Sequence, residues 1–434
     1  MEVRPVDVAD VLRARDARVQ LQQEMLGRRA VPLICLTMNI AGEIKRDEWI
    51  ERAFREGVQR VEKQLAWHGV SVLERRETIS FTGCEAIWAA AGEAGALQKW
   101  MQAVEEADGL GRLFDIDVIG ADGIKLSRSM PRRCLICGES AQACGRSRRH
   151  PAHELYLRAQ GIIRDHFARE RASWIAACAQ RALLQEALTA PKPGLVDRWD
   201  SGAHCDMDIF SFASSAVSLR DYFAACALAG MGEGAELEQL RFLGRCAEED
   251  MIRATGGANT HKGAIFSLGI LCCAAGMEGD ILENAARIAA PALEELRGMS
   301  PEQAQTGGER QFVEHGLTGV RGEAAQGFPA VKNIALPALR RAIGAGKSLN
   351  DAGLDALLHL MACVDDSNVL RRRGMDVLRR VQAAARALLR KGYDCDALRS
   401  LNEDFIRENI SPGGCADLLA LTYFLYFIEK GDYV

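Results

Sequence analysis

The sequence has no long apolar segment. Residues 1 to 7 contain no apolar region of the kind that a signal peptide needs, and no later stretch reaches the roughly 18 uninterrupted apolar residues of a membrane span. Neither sign of charge dominates, because the formal net charge of the 434 residues is -5. We therefore expect a cytoplasmic protein with no membrane partner and no general attraction for nucleic acid, in which anion-binding surfaces are local clusters.

Signs of a disulfide framework are also missing. The chain has 14 cysteines, but residues such as Cys178, Cys226 and Cys272 lie within apolar helical patterns of a large chain without a signal peptide. We expect free, buried thiols.

The chain lacks internal repeats, low-complexity tracts and a Gly/Ser-rich linker, yet its length exceeds what one hydrophobic core usually organises. These patterns predict a multidomain protein, with an α+β domain over residues 1–170 and an all-α domain over residues 171–434. In the first part, patterns predict helices over 7–27, 47–69 and 85–107, and strands over 30–39, 71–82 and 111–119. From about Glu154 onward, helical patterns are interrupted by glycine-rich loops at 190–208, 254–263, 306–330 and 411–415.

Asp115 and Asp117 lie two residues apart on the strand predicted over 111–119, so the strand period of two places both carboxylates on one face. Two oxygen ligands in this arrangement can hold Mg²⁺ together with substrate phosphates. The alternative is a pair of acids on the solvated face of an edge strand.

A dense cationic stretch follows this strand. This stretch has enough positive charge to bind a polyphosphate. The alternative is a basic surface that is only solvated. Its candidate phosphate-binding residues are Arg128, Arg146, Arg148, Arg149 and His150. The same stretch has the spacing C-x2-C-x6-C-x5-H of a tetrahedral zinc site, with reduced cysteines that serve packing as the alternative. The candidate zinc ligands are Cys134, Cys137, Cys144 and His150.

The segments PLICLTMNIAGEIK, GRLFDIDVI and PRRCLICGESAQACGRSRRH together resemble the holo-citrate lyase acyl carrier protein synthase family, also called apo-citrate lyase phosphoribosyl-dephospho-CoA transferase. Ala41 and Glu43 depart from the family pattern, which has prolines there. The resemblance implies a nucleotidyltransferase-type domain in which a serine of the citrate lyase acyl carrier protein (gamma subunit) attacks the α-phosphate of triphosphoribosyl-dephospho-CoA and expels pyrophosphate. In that scheme Asp115 and Asp117 hold magnesium, and the basic cluster neutralises the leaving pyrophosphate.

Polar loops recur between the helical patterns of the second part and should meet at one end of a helical bundle. In the first loop, Pro191 and Pro193 fix Lys192 in an extended turn. Asp206 and Asp208 then precede a helix, where capping is the alternative to a metal or catalytic role.

The second loop places glycines and a lysine before an apolar helix and therefore predicts a phosphate cradle, with a plain helix-entry turn as the alternative. It is not a Walker A loop, because Lys262 is followed by Gly263. Its candidate phosphate-binding residues are Gly256, Gly257, Asn259, His261 and Lys262.

The third loop offers Arg321 for a phosphate and Glu323 as a base or metal ligand, with an ion pair between the two as the alternative. Other acidic residues of the second part are further candidate metal ligands. The candidate magnesium ligands of this part are Asp206, Asp208, Glu249, Asp250 and Asp365.

The segments TAPKPGLVD, GAHCDMD, TGGANTHKGAIFSLG, GVRGEA, DDSN and SPGGCADLLALTYF resemble the triphosphoribosyl-dephospho-CoA synthase family. Cys205 and Cys415 stand where a variable residue and a serine are expected. The family's reaction uses ATP and 3'-dephospho-CoA: the 2'-hydroxyl of the coenzyme ribose displaces adenine from C1' of ATP, and the triphosphate is kept. The resemblance implies magnesium, phosphate contacts from Lys192, Lys262 and Arg321, and a base among Asp206, Asp208 and Glu323, whose assignment stays open here.

Both resemblances together imply a bifunctional transferase in which the product of the second part is the substrate of the first. Two alternatives remain. One is the equivalent enzyme for malonate decarboxylase, which uses the same prosthetic group. The other is a non-catalytic scaffold that binds nucleotide and carrier protein, with the Cys/His cluster as a zinc interaction module.

Overall fold

The computed structural model describes residues 3–128, 131–232 and 235–431. The chain forms two compact units, Met1–Phe167 (unit 1) and Ala168–Val434 (unit 2). Within the described residues, no helix has the length and apolar character needed to cross a membrane.

Unit 1 is built on a four-stranded antiparallel sheet in the order β2-β3-β1-β4. The strands are β1 (Leu33–Met38), β2 (Ser71–Ser80), β3 (Gly83–Ala91) and β4 (Phe114–Ile119). The helices are α1 (Val8–Arg29), α2 (Glu48–Trp67), α3 (Ala94–Glu106) and α4 (Ala141–Ser147), and α5 (Ala152–Leu188) includes the division between the units. The predicted α+β composition of this part is confirmed.

Both faces of the sheet carry buried residues, because side chains alternate along each strand. On one face, Ile34, Trp88 and Ile116 join apolar residues of α2 and α3 in the main core of unit 1. On the other face, Cys35 forms a smaller core with Met25 of α1.

Residues 85–107 are not one helix, which corrects the sequence-based expectation. Residues 83–91 form β3, and α3 begins only at Ala94. The alanine-rich segment favours a helix locally, but a tight turn after Ser80 folds it back onto β2, and β1 pairs with its other edge. Trp88 and Ala89 on opposite faces of β3 are fully buried. Strand pairing and burial therefore outweigh helix propensity here.

All the regular secondary structure in the described residues of unit 2 is helical, as predicted. Helix α9 is its central element, since eleven of its residues are buried, and such an all-round apolar helix has to be enclosed by others. It packs against α7, α8, α10 and α18. After α5, the helices are α6 (Ile209–Ser218), α7 (Arg220–Met231), α8 (Leu237–Ala254), α9 (Lys262–Gly276), α10 (Ile281–Arg297), α11 (Gly307–His315), α12 (Gly319–Ala325), α13 (Leu336–Gly344), α14 (Leu349–Cys363), α15 (Ser367–Arg373), α16 (Met375–Lys391), α17 (Cys395–Arg407) and α18 (Gly413–Lys430).

Candidate active sites

Unit 2 contains a cavity of about 980 Å³. Its wall includes residues from the loop before α6, from the segment that enters α9, from the region around α12, and from the starts of α15 and α18. The glycine-rich loops and the DDSN element are far apart in the sequence, and the helical bundle brings them together around one space.

Three acidic side chains that line this cavity have raised pKa values. Glu186 lies near the end of α5 and forms a buried ion pair with Lys192. Asp366 is the N-cap of α15 and accepts hydrogen bonds from the backbone N–H groups of Asn368 (2.8 Å) and Cys415 (2.8 Å). Asp417 lies in the first turns of α18.

The three carboxyl groups of Glu186, Asp366 and Asp417 lie close enough to affect one another electrostatically. Burial raises the pKa of Asp417 well above its ordinary value, and the neighbouring carboxyls of Glu186 and Asp366 raise it further. Burial also raises the pKa of Glu186 and of Asp366. Three carboxyls thus share a desolvated region in which Lys192 is the bonded cation, so the group favours an additional positive charge.

The start of α9 packs closely against the carboxylate of Asp417. A Cβ added at Gly263, the second residue of α9, would lie 2.1 Å from Asp417 Oδ2. The carboxylate therefore occupies the space that any side chain at this position would take. This packing explains why Gly263 follows Lys262, where a Walker A motif would have serine or threonine.

The segment that enters α9 also carries unpaired polar atoms. Thr260 Oγ1, His261 Nε2 and Ser267 Oγ are buried and have no hydrogen-bond partner in the described part of the chain, and all three residues line the cavity. His261 Nδ1 lies 2.7 Å from Ser215 Oγ. Burial lowers the pKa of His261 to about 3, and the positive Lys192 acts in the same direction, so the imidazole is neutral near pH 7. Because an unpaired buried polar group is costly, these atoms offer bonds to a ligand.

Four further predicted residues line the cavity: Asn259, Lys262, Glu323 and Asp365. Lys262 is mostly exposed and binds Glu248 Oε2 at 2.7 Å. Glu323 Oε2 accepts a hydrogen bond from Ala330 N (3.2 Å), and burial raises its pKa.

Other predicted residues of unit 2 lie outside the described cavity lining. Asp208 caps α6 by accepting the N–H of Ser211 at 2.9 Å, and Asp206 is exposed. Glu249 and Asp250 are exposed on α8.

Arg321 pairs with Glu309 at 2.9 Å rather than with Glu323, the partner considered from the sequence. Burial alone would raise the pKa of Glu309, but hydrogen bonds from Thr306 and Arg321 outweigh it and lower the pKa to about 2. Gly256 and Gly257 have φ values of 68° and 108° in the turn after α8, which only glycine adopts readily.

In unit 1, Asp115 and Asp117 are partly exposed and share one face of β4, as their spacing predicts. The strand forms one edge of the sheet. Asp115 Oδ1 is 3.0 Å from Arg132 Nη2, and Asp117 Oδ2 is 2.6 Å from Lys125 Nζ. The two carboxylates are therefore accompanied by two cations from the chain that follows the strand.

Glu105 holds this arrangement in place. The side chain of this α3 residue is buried, accepts the N–H of Ile116 at 2.8 Å, and forms ion pairs with Arg128 and Arg132. Burial, together with the positive Arg132, lowers the pKa of Arg128 to about 10.

A third acidic residue, Glu85, lies on the same sheet face. Thr37 of β1 pairs with Glu85 of β3 on one side and with Asp115 on the other, and directly opposite residues share a face. Burial raises the pKa of Glu85, which lies 3.2 Å from Arg18.

The remaining basic candidates of unit 1 are Arg146, Arg148 and Arg149, which are exposed. Among the described residues they form no ion pair. His150 lies beside Cys134, Cys137 and Cys144.

Several of these residues carry no signal in the sequence. Asp366 and Asp417 lie within the segments DDSN and SPGGCADLLALTYF, but nothing in the sequence distinguishes them from neighbouring acids. Glu186 and Glu105 lie inside helices without any local motif, so no sequence signal marked them. Glu85 was hidden by the incorrect helix prediction for this segment.

Comparisons with known proteins match both units. Residues 6–166 match the family described as apo-citrate lyase phosphoribosyl-dephospho-CoA transferase, and residues 172–433 match the family described as ATP:dephospho-CoA triphosphoribosyl transferase.

Three relatives illustrate the similarity. A "Protein CitXG" from Haemophilus influenzae is 33% identical over 96% of this chain and 96% of its own length. Another from Leuconostoc mesenteroides subsp. cremoris is 31% identical over 97% of each chain. A 2-(5''-triphosphoribosyl)-3'-dephosphocoenzyme-A synthase from Pectobacterium atrosepticum is 43% identical over 56% of this chain and 86% of its own length.

Proposed function

Because this chain belongs to the family of CitXG proteins, we propose that it carries out two successive transferase reactions of citrate lyase prosthetic-group biosynthesis. Unit 2 makes 2'-(5''-triphosphoribosyl)-3'-dephospho-CoA from ATP and 3'-dephospho-CoA and releases adenine. Unit 1 transfers the phosphoribosyl-dephospho-CoA group to a serine of the citrate lyase acyl carrier protein and releases pyrophosphate. The observation that carries the assignment is the match of both transferase families, in this order, along one chain.

The cavity of unit 2 supports the first reaction. Its volume of about 980 Å³ is at the upper end of the roughly 300–1,000 Å³ typical of ligand sites, which suits large nucleotide substrates. The unpaired atoms of Thr260, His261 and Ser267 would bind polar groups of these substrates. If the Ser215 hydroxyl donates to His261 Nδ1, the neutral imidazole carries its hydrogen on Nε2 and donates it to an acceptor such as an adenine nitrogen.

Glu323 is the acid that we select as proton acceptor for the 2'-hydroxyl of the coenzyme ribose. It lines the cavity, and burial raises its pKa, which brings a carboxyl closer to the pH at which it works as a general base. Asp206 and Asp208, the other candidates, lie outside the described lining.

Glu186, Asp366 and Asp417 fit the magnesium that this reaction implies. They supply oxygen ligands, which Mg²⁺ prefers, and their crowding in a desolvated region favours an added cation. Bound there, magnesium would offset the charge of the triphosphate. Lys262 would then exchange its partner Glu248 for a phosphate.

The polar edge of the sheet in unit 1 supports the second reaction, and we propose for this unit a nucleotidyltransferase-type site. Asp115 and Asp117 would hold magnesium, which neutralises phosphate charge when bound. Arg132 and Lys125 keep the two carboxylates in place, and the exposed Arg146, Arg148 and Arg149 would bind the pyrophosphate end of the substrate.

The free cysteines suit a cytoplasmic protein.

Product analysis tests the assignment. The purified chain, incubated with ATP, 3'-dephospho-CoA and magnesium, should release free adenine, and addition of apo-citrate lyase acyl carrier protein should give a mass increase equal to one phosphoribosyl-dephospho-CoA group. A parallel reaction with the malonate decarboxylase carrier protein separates the two carrier assignments. If no adenine forms over a range of magnesium concentrations, the chain is a binding scaffold and the enzymatic proposal is wrong.

A further inference from the structure

Cys134, Cys137, Cys144 and His150 form a compact cluster in unit 1. Their ligand atoms all lie within 4.8 Å of one another, and Cys137 Sγ is 3.4 Å from Cys144 Sγ. A tetrahedral zinc ion with Zn–S bonds of about 2.3 Å separates its sulfur ligands by about 3.8 Å. Small side-chain adjustments are therefore enough for all four atoms to reach one ion.

The backbone after Cys134 is folded as a tight turn that presents two sulfurs to the same point. Gly138 N donates to Cys134 O at 3.2 Å, and Cys134 N donates to Glu139 O at 2.6 Å. Gly138 has a φ of 73°, in the left-handed region that favours glycine. Ile136 N lies 3.5 Å from Cys134 Sγ, and an N–H that points at sulfur stabilises the thiolate, the form that binds a metal.

Helix α4 and the turn after it place Cys144 and His150 beside the first two cysteines. Ser140 caps this helix, which places Cys144 in its second turn, and Arg149 N donates to Cys144 O at 3.2 Å where the chain turns back. His150 Nε2 is buried and has no hydrogen-bond partner in the described residues. A buried imidazole nitrogen without a partner is destabilising, and a metal bond would satisfy it.

The segment around the cluster has little apolar support. Among the described residues of 127–150, Leu135 is the one that packs against the main core of unit 1. Short segments with so little core are commonly held by a metal. Reduced cysteines that merely pack would not explain why three of them and a histidine converge in such a segment.

We propose that Cys134, Cys137, Cys144 and His150 bind one Zn²⁺ ion that holds this segment in its folded form. All four ligand positions are then filled by the protein, as in structural rather than catalytic zinc sites. The zinc site does not depend on the proposed reactions.

The proposed ion would also position the site on β4. Arg112 Nη2 donates to Arg133 O (3.1 Å) and Cys134 O (3.3 Å). Arg132 Nη2 donates to Phe114 O at 2.8 Å and reaches Asp115. The chain that enters the cluster is therefore the chain that brings Arg132 to the carboxylates.

Metal content of the full-length chain, purified under reducing conditions from zinc-supplemented cells, tests the proposal. We expect about one zinc per chain in the wild type and below roughly 0.1 in Cys137→Ser and His150→Ala. Cys246→Ser and Cys395→Ser, which remove exposed free cysteines of unit 2, should keep the full zinc content. His150→Cys, which restores four metal-binding side chains, should retain zinc.

Two further measurements keep the test decisive if a variant fails to fold. Cobalt added to zinc-free wild-type protein should give a thiolate-to-cobalt charge-transfer band. Removal of zinc with a chelator should accelerate tryptic cleavage between residues 131 and 150, where the exposed arginines lie, by about tenfold or more. Wild-type protein with zinc content no higher than Cys137→Ser, or absence of the cobalt band in reduced wild-type protein, would each overturn the proposal.

Discussion

Asp417 combines a raised pKa with a close packing contact to Gly263. Its pKa is raised by burial and by two neighbouring carboxyls. Because the folded state holds this proton more tightly than the unfolded state, Asp417 favours folding below its ordinary pKa, and that contribution is lost as the pH rises through the raised value. Ionising Asp417 in the folded protein therefore costs stability.

Asp417→Asn should separate function from stability. We expect adenine release to fall by about 10²-fold or more, since a neutral amide replaces a carboxylate of the proposed magnesium site. Tm at pH 7 should stay equal or rise, because charge crowding is relieved. The decline in stability above the ordinary pKa of Asp417 should become shallower. Asp250→Asn, on the exposed face of α8, is the control and should change neither quantity. Unimpaired adenine release in Asp417→Asn would contradict the assigned role.

Lys262 distinguishes a phosphate contact from an ordinary helix start. Its side chain is 61% exposed and pairs with Glu248, so Lys262→Ala should change stability by no more than about 0.5 kcal/mol. If Lys262 binds the triphosphate, kcat/KM for ATP should fall by roughly 2 to 4 kcal/mol, or tens- to several-hundred-fold. Lys391→Ala, an exposed lysine at the end of α16, serves as the control. A folded Lys262→Ala protein with normal ATP kinetics would exclude the phosphate contact.

Asp115 tests the other site. Asp115→Asn should lower transfer to the carrier protein by about 10³-fold or more, because one oxygen anion of a magnesium site is replaced. Adenine release should be unchanged, because unit 2 has its own cavity. Asp16→Asn on the exposed side of α1 provides a matched substitution that should leave both activities intact. Carrier labelling followed by mass spectrometry measures the effect, and near-normal transfer in Asp115→Asn would remove the proposed metal role.

Helix α9 is the element whose first turn forms part of the cavity wall. It is apolar on most sides, and the surrounding helices that enclose it set its position. Its start therefore fixes the distance between the Gly-rich loop and Asp417 of α18. A small change in the first turn should affect the site more than the fold.

Gly263→Ala tests this relationship. The new Cβ would lie 2.1 Å from Asp417 Oδ2, so the carboxylate or the helix end has to move, at a cost of about 1–3 kcal/mol in stability. Adenine release should drop about as far as in Asp417→Asn. Gly344→Ala, whose Cβ would meet no atom within 4 Å, should be neutral or slightly stabilising. Melting curves and adenine assays on both variants measure the difference, and an active Gly263→Ala enzyme would show that the contact is unimportant for catalysis.

The whole molecule combines two units with separate cores, and their activities should separate as well. A fragment that begins near Arg171 should still release adenine from ATP and 3'-dephospho-CoA but should not modify the carrier protein, because β4 is absent. The full chain assayed in parallel is the control. A soluble, folded fragment that makes no triphosphoribosyl product would show that unit 2 needs unit 1.

The sequence by itself determined the number of units, the change from α+β to all-α, the loops of the cavity and both transferase families. These features depend on local periodicity, glycine-rich turns and sequence motifs, which are properties of short segments. The shared face of Asp115 and Asp117 followed for the same reason, since alternation along a strand needs no distant partner.

Only the tertiary structure decided that residues 83–91 form a central strand, because pairing with β1 and β2 outweighs local helix propensity. It also selected Glu186, Asp366 and Asp417 among many acids, and paired Arg321 with Glu309. Burial and mutual distance shift the pKa values of these groups. Both quantities depend on residues that are remote in the sequence, so no local pattern contains them.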